Sequence, residues 1–94
     1  MDRTAVRQRS KALLGSGYRL EIAAAIAEAA GEAVNAQELA DLTGLRYPRV
    51  QHELKHLLDA GVLISAESVS RAVEYKAVAS EYWKACQLLL AEWC

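Results

Sequence analysis

Val50, Leu54, Leu57 and Leu58 recur at i, i+4, i+7 and i+8, the spacing that draws one apolar stripe along a helix. Pro48 suits the start of that helix, since its φ is already fixed and an amide there would have no partner. Gly61 follows Ala60 as a stop, so the pattern predicts a helix up to Ala60. Upstream, residues 4–14 read as a helix carrying Val6, Leu13 and Leu14, ended by Gly15-Ser16-Gly17. Tyr18 to Ala30 reads as a second helix, with alanines set around Leu20, Ile22 and Ile26, which suits a central helix that neighbours approach closely. After Gly31, Asn35 is a candidate N-cap with Glu38 three residues on. A short third helix follows, with Leu39 and Leu42 expected inward and Gly44 just past its end. Beyond Gly61 the period shortens to two. Val62-Leu63-Ile64 reads as a strand and Glu67 to Ser70 as a turn. Arg71 to Val78 reads as a returning strand with Val73, Tyr75 and Ala77 on one face. Ser80 to the end is a last helix containing Trp83, Leu89, Leu90 and Trp93. The expected order is α-α-α-α-β-β-α, mainly helical with a small β-hairpin.

The chain has 94 residues, 53% of them hydrophobic, which fits one domain spanning 1–94. A domain this small leaves much of its surface exposed, so an oligomer is a plausible source of added stability. No apolar run approaches the ~20 residues of a membrane span. MDRTAVRQRSKALL lacks the apolar core of a signal peptide, and two Cys imply no disulfide framework, so a cytoplasmic protein is expected. Net charge is −1 but unevenly spread. Residues 1–20 set Arg3, Arg7, Arg9, Lys11 and Arg19 against Asp2 alone, whereas residues 21–45 hold Glu21, Glu28, Glu32, Glu38 and Asp41 with no cation. The Gly15-Ser16-Gly17 stretch is not a phosphate loop, because neither the third Gly of a dinucleotide fingerprint nor a Gly-Lys-Ser/Thr follows it.

His52-Glu53-Leu54-Lys55-His56 matches H-E-x-x-H, in which two His one turn apart bind zinc and the Glu serves as general base. At 100° per residue, however, His52 and His56 point away from the apolar stripe, beside Arg49 and Lys55. A catalytic zinc needs its His pair facing a cleft with a third ligand. The longer metzincin pattern would need Gly at Asp59 and His at Val62, and the chain has no other His. The match therefore reads as an accident of an outer face, with no metal site and no catalytic residues. A solvated face explains those residues; so does a helix that reads a DNA major groove, which wants Arg, Lys, Gln or Asn at base edges and phosphates. Two short helices joined by a Gly-containing turn are the helix-turn-helix unit, and a following hairpin would be its wing.

Residues 12–78 resemble a winged helix-turn-helix regulator of the ArsR type, the arsenic-repressor-like family. ALLGSGYRLEI is similar to the family's approach to its second helix, and QELADLTGL to its first helix-turn-helix helix. RYPRVQHELKHLLDAGVL resembles the recognition helix and its exit, and RAVEYKAV the returning wing strand with Arg71 and Tyr75 at family-like positions. Related families, the MarR type among them, share much of the block from Glu38 to Leu63. The chain departs from the family in three ways. ESVS offers no Gly for a wing tip, and Glu67 and Glu74 offset Arg71 and Lys76. The third helix lacks the Cys-x-Cys pair of metal-sensing members, and the last helix lacks the His of the other sensor site.

The resemblance implies a non-enzymatic, cofactor-free transcriptional regulator, a repressor in expectation, that binds an inverted repeat in double-stranded DNA as a homodimer. It partitions the chain into an N-terminal helix (1–16), the helix-turn-helix (35–60), the wing (62–78) and a dimerisation helix (80–94). Candidate DNA contacts are Arg46, Tyr47, Arg49, Gln51, His52, Lys55, His56 and Arg71. Candidate dimer contacts are Leu13, Trp83, Leu89, Leu90 and Trp93, since paired first and last helices form the family's interface. Tyr47 has a second reading as a cover for the helix end, and the N-terminal cations read equally as a phosphate-contacting arm or a solvated end. Cys86 reads as a packing residue. Cys94 lies some ~12 Å further along the helix, too far for a bridge to it but open to a partner subunit. No membrane partner is expected; a small-molecule effector is compatible with the family but not identified. The alternatives are a winged-helix protein-interaction module without DNA binding, favoured by the −1 charge, and, remotely, a zinc hydrolase.

Overall fold

The computed structural model describes residues 2–29, 31–67 and 73–93. Five helices and three strands follow in the order α1 (Arg3–Leu14), α2 (Arg19–Glu28), β1 (Val34–Asn35), α3 (Ala36–Thr43), α4 (Tyr47–Asp59), β2 (Leu63–Glu67), β3 (Val73–Ala77) and α5 (Glu81–Trp93). Local chemistry sets most of these boundaries. Asp2 Oδ1 accepts from the Ala5 amide at 2.8 Å and caps α1, and Asn35 Oδ1 accepts from the Glu38 amide at 2.8 Å and caps α3. Gly44 ends α3 at φ 72°, a left-handed turn that other residues adopt only with strain. Pro48 stands second in α4, after Tyr47, with extended Arg46 as the N-cap.

α2 lies at the centre. Leu20, Ile22, Ala23, Ala24 and Ile26 are buried on it, so it is covered on several sides, and its alanines let α5, α3 and α1 come close. The core joins these residues to Leu39, Val50, Leu54, Leu57 and Leu63, with Trp83, Cys86 and Trp93 of α5 closing it from the other end of the chain. Trp83 satisfies its indole N–H on the Val78 carbonyl at 3.0 Å. Cys86 is the buried packing residue that its sequence context suggests, while Cys94 lies outside the described residues.

Three details differ from the sequence-based expectation. The sheet has three strands, in the order β1-β3-β2, because Val34 and Asn35 pair antiparallel with Tyr75 and Glu74 of β3. A two-residue strand shows no period, and only its distant partner reveals it. β2 runs on through Glu67, which the reading placed in the turn, and Val73 is exposed whereas Tyr75 and Ala77 are half-covered. Leu42, expected inward, is 69% exposed. In an eight-residue helix the buried face is set by Ala36, Leu39, Ala40 and Thr43, and Leu42 falls about 100° or more from its centre. The whole is a winged helix-turn-helix: α3 and α4 joined by Gly44-Leu45-Arg46, with the β2–β3 hairpin after them.

Candidate nucleic-acid interface

α4 divides cleanly into two faces. Val50, Leu54 and Leu57 are buried, while Tyr47, Arg49, Gln51, His52, Lys55 and His56 are exposed, as is Arg46 at the cap. Seven of the eight candidate DNA contacts therefore lie on or beside one solvent-facing helix surface; Arg71 lies outside the described residues. The His52 and His56 rings meet edge-on with Nε2 atoms 3.3 Å apart, one helical turn from each other. No cluster of three or more metal-ligating side chains occurs among the described residues.

Glu53, between the two His, behaves otherwise. It is 1% exposed and turned into the protomer. Its Oε2 accepts from Arg19 Nε at 3.1 Å and its Oε1 accepts from Ser16 Oγ at 2.5 Å. Arg19 also donates Nη1 to the Leu14 carbonyl at 2.7 Å. Ser10 extends the network, donating to the Ser16 carbonyl at 2.6 Å and accepting from the Leu20 amide at 3.3 Å. The polar bonds thus tie α4 to the α1–α2 turn. A buried carboxylate is tolerated because a guanidinium and a hydroxyl satisfy it; removing either charge would strand the other.

The H-E-x-x-H match casts Glu53 as a general base, and no local pattern marks Ser16 or Tyr18 as its neighbours. A signal was available for Glu53, which stands three after Val50 and four before Leu57, at the edge of the apolar stripe. Its partner Arg19, thirty-four residues earlier, carries no such signal. Tyr18 holds Arg49 against its ring at 5.1 Å to the centroid and Arg7 at 4.9 Å. Arg7 in turn donates to Glu21 at 2.7 Å, and that hydrogen bond holds its proton more firmly still. The Arg49 guanidinium thus rests on the Tyr18 ring while the residue as a whole stays exposed.

The candidate dimer contacts separate by burial. Trp83 and Trp93 are buried inside the protomer, and Leu89 and Leu90 are half-buried against its core. Leu13 and, on α5, Leu88 are each 61% exposed, and they are the large apolar side chains that these two helices leave to solvent. α5 packs on α2, and Trp83 and Trp93 both belong to the buried core.

No protein-family model matches the chain, and no curated protein matches it. Among solved structures it is similar to NadR, a MarR-family winged-helix transcriptional regulator, in a crystal structure with 4-hydroxyphenylacetate. The TM-score is 0.64 at 18% identity, over 96% of this chain and 61% of that one. The likeness is one of fold, and the chain spans about three-fifths of the length of the NadR chain.

Proposed function

We propose that this protein is a sequence-specific DNA-binding transcriptional regulator, a repressor of the ArsR-like winged-helix type. The observation that carries the reading is the outer face of α4, where Arg46, Arg49, Gln51, His52 and Lys55 stand exposed together behind a helix-turn-helix turn. Guanidinium and amide groups on such a helix can bond base edges in the major groove, while Lys55 and Tyr47 are suited to phosphates. No catalytic step is assigned to any residue. The protein acts as a homodimer through the first and last helices, and paired recognition helices about one DNA turn apart, roughly 34–36 Å, would read an inverted repeat. A salt-titrated gel shift on fragments of the source genome tests the reading: specific bands that weaken steeply with salt are expected.

A protein-interaction module is the second reading, favoured by two observations. Arg49 is already engaged with Tyr18, and Glu28, Glu32 and Glu38 line a groove of about 610 Å³ beside exposed Leu42, a surface unsuited to a polyanion. Uniform failure of the gel shift at low salt favours it. If an effector binds in that groove, the glutamates there disfavour an arylacetate such as the one in the NadR complex. A zinc hydrolase is disfavoured because Glu53, which would have to be its base, is committed to Arg19 and Ser16.

A further inference from the structure

Two polar helix faces confront each other beside the α1–α2 turn. Thr4, Arg7, Gln8 and Lys11 occupy i, i+3, i+4 and i+7 on α1, the spacing of one helix face. Arg49, His52, Glu53 and His56 repeat the same spacing on α4. Between them lies a cleft of about 710 Å³, floored by the turn from Gly15 to Arg19. The turn fits so close to α1 that a Cβ on Gly17 would stand 3.3 Å from the Arg7 carbonyl oxygen, which leaves little room for any other residue.

The charge lining this cleft is of one sign. Arg7, Lys11, Arg19 and Arg49 contribute cations, and among the described residues the one carboxylate in the wall is Glu53, 1% exposed and spent on Arg19 and Ser16. Arg7 is paired with Glu21, which is not part of the wall. Lys11 and Arg49 form no salt bridge among the described residues. The imidazoles of His52 and His56, the Thr4 hydroxyl and the Gln8 amide add further hydrogen-bonding groups. A wall that combines unpaired cations with several donors, and hides its carboxylate, is matched to an oxyanion carrying more than one acceptor oxygen.

We propose that the α1–α4 cleft is a phosphate-binding site, with Lys11 as its principal ligand and the Thr4 hydroxyl and Gln8 amide beside it on α1. The cleft is open and wider than a bare phosphate, so it can admit a phosphate carried on a larger body. Two sources share this chemistry: the backbone of a bound duplex, and a free phosphorylated compound. The first source rests on the DNA-binding reading above and the second does not. In the first case α1 extends the interface beyond the recognition helix, giving the N-terminal cations a defined place on the duplex.

The test uses the full chain, ¹⁵N-labelled and titrated with inorganic phosphate at constant ionic strength. Saturable amide shifts confined to the Gly15–Arg19 turn and the neighbouring parts of α1 and α4 are expected. Lys11→Gln should weaken that binding about tenfold, the loss of one charge-assisted hydrogen bond. Lys84→Gln removes the same charge from exposed α5, outside the cleft, and should stay within about twofold of wild type. A response that does not saturate, or equal weakening by both variants, overturns the site whether or not the protein binds DNA. A second arm identifies the source once saturation is seen. If Lys11→Gln also lowers the salt slope of duplex binding by about 0.9, the ligand is a backbone phosphate. An unchanged slope, or no duplex binding at all, assigns the cleft to a free phosphoryl compound and leaves the site standing.

Discussion

Replacing Glu53 should damage stability far more than its place in an H-E-x-x-H match on an outer helix face would suggest. The carboxylate is 1% exposed and bonds Arg19 at 3.1 Å and Ser16 at 2.5 Å. Removing one partner of a buried ion pair costs about 3–5 kcal/mol, because the survivor keeps its desolvation and loses its compensation. Glu53→Gln falls below that range: the amide still offers Ser16 an acceptor, and the Arg19 side chain, 19% exposed, keeps some water and its 2.7 Å bond to the Leu14 carbonyl. A loss of about 2–3 kcal/mol is expected, roughly 10–20 °C in melting temperature for a domain of this size. Arg19→Met strands the less exposed group and should cost more, about 3–5 kcal/mol. Arg19→Met combined with Glu53→Gln, which leaves no orphan charge, should recover most of the loss. Urea unfolding followed by circular dichroism reads all four proteins, provided the slope with denaturant is unchanged. Single variants within about 0.5 kcal/mol of wild type, or two losses that simply add, would refute the claim that this pair fastens α4 to the α1–α2 turn.

Other consequences are open to direct measurement. One equivalent of zinc should leave the melting temperature unchanged and elicit no peptidase activity; stoichiometric zinc that survives dialysis and disappears in His52→Ala would contradict this. The protein should sediment as a dimer at tens of micromolar, above ordinary dimer dissociation constants, and Leu13→Glu or Leu88→Glu should shift it to monomer without unfolding it, both side chains being 61% exposed. A wild type that stays monomeric removes the interface. The Tyr82 hydroxyl is buried beside the Cys86 thiol without reaching hydrogen-bonding geometry, so Tyr82→Phe should stabilise the fold by about 1 kcal/mol. Burial, reinforced by Cys86, pushes that phenol well above its ordinary range. The unfolded chain therefore releases the proton first, and stability should fall as pH rises past about 10; Tyr82→Phe should flatten that decline, and an unaltered decline would count against it.

The elements legible in the sequence are those governed by local periodicity and capping. The α4 stripe of Val50, Leu54 and Leu57, the Asn35 cap and the Gly44 stop act within a turn or two of themselves, and each appears where its pattern indicates. What escaped depends on partners far along the chain. β1 exists because β3 offers Val34 and Asn35 a place to pair, and Glu53 is buried because Arg19 and Ser16 reach it from the α1–α2 turn. Trp83 and Trp93 carry a different lesson. An apolar aromatic on a terminal helix fits an interface or a core equally well by composition, and only the docking of α5 on α2 shows both rings inside the protomer. The outward direction of His52 and His56 followed from angle alone, but the cleft they border needed α1 to be placed beside them.

The measurement closest to the central proposal is the salt-dependent affinity of wild type, Arg49→Ala and Lys55→Ala for a duplex selected from the source genome. Arg49→Ala should cost about 1–3 kcal/mol and relax the preference at one base pair, as for an arginine on a guanine edge. Lys55→Ala should weaken every sequence alike and lower the salt slope by about one, as for a phosphate contact. Unchanged affinity in both variants would mean that the outer face of α4 does not read DNA.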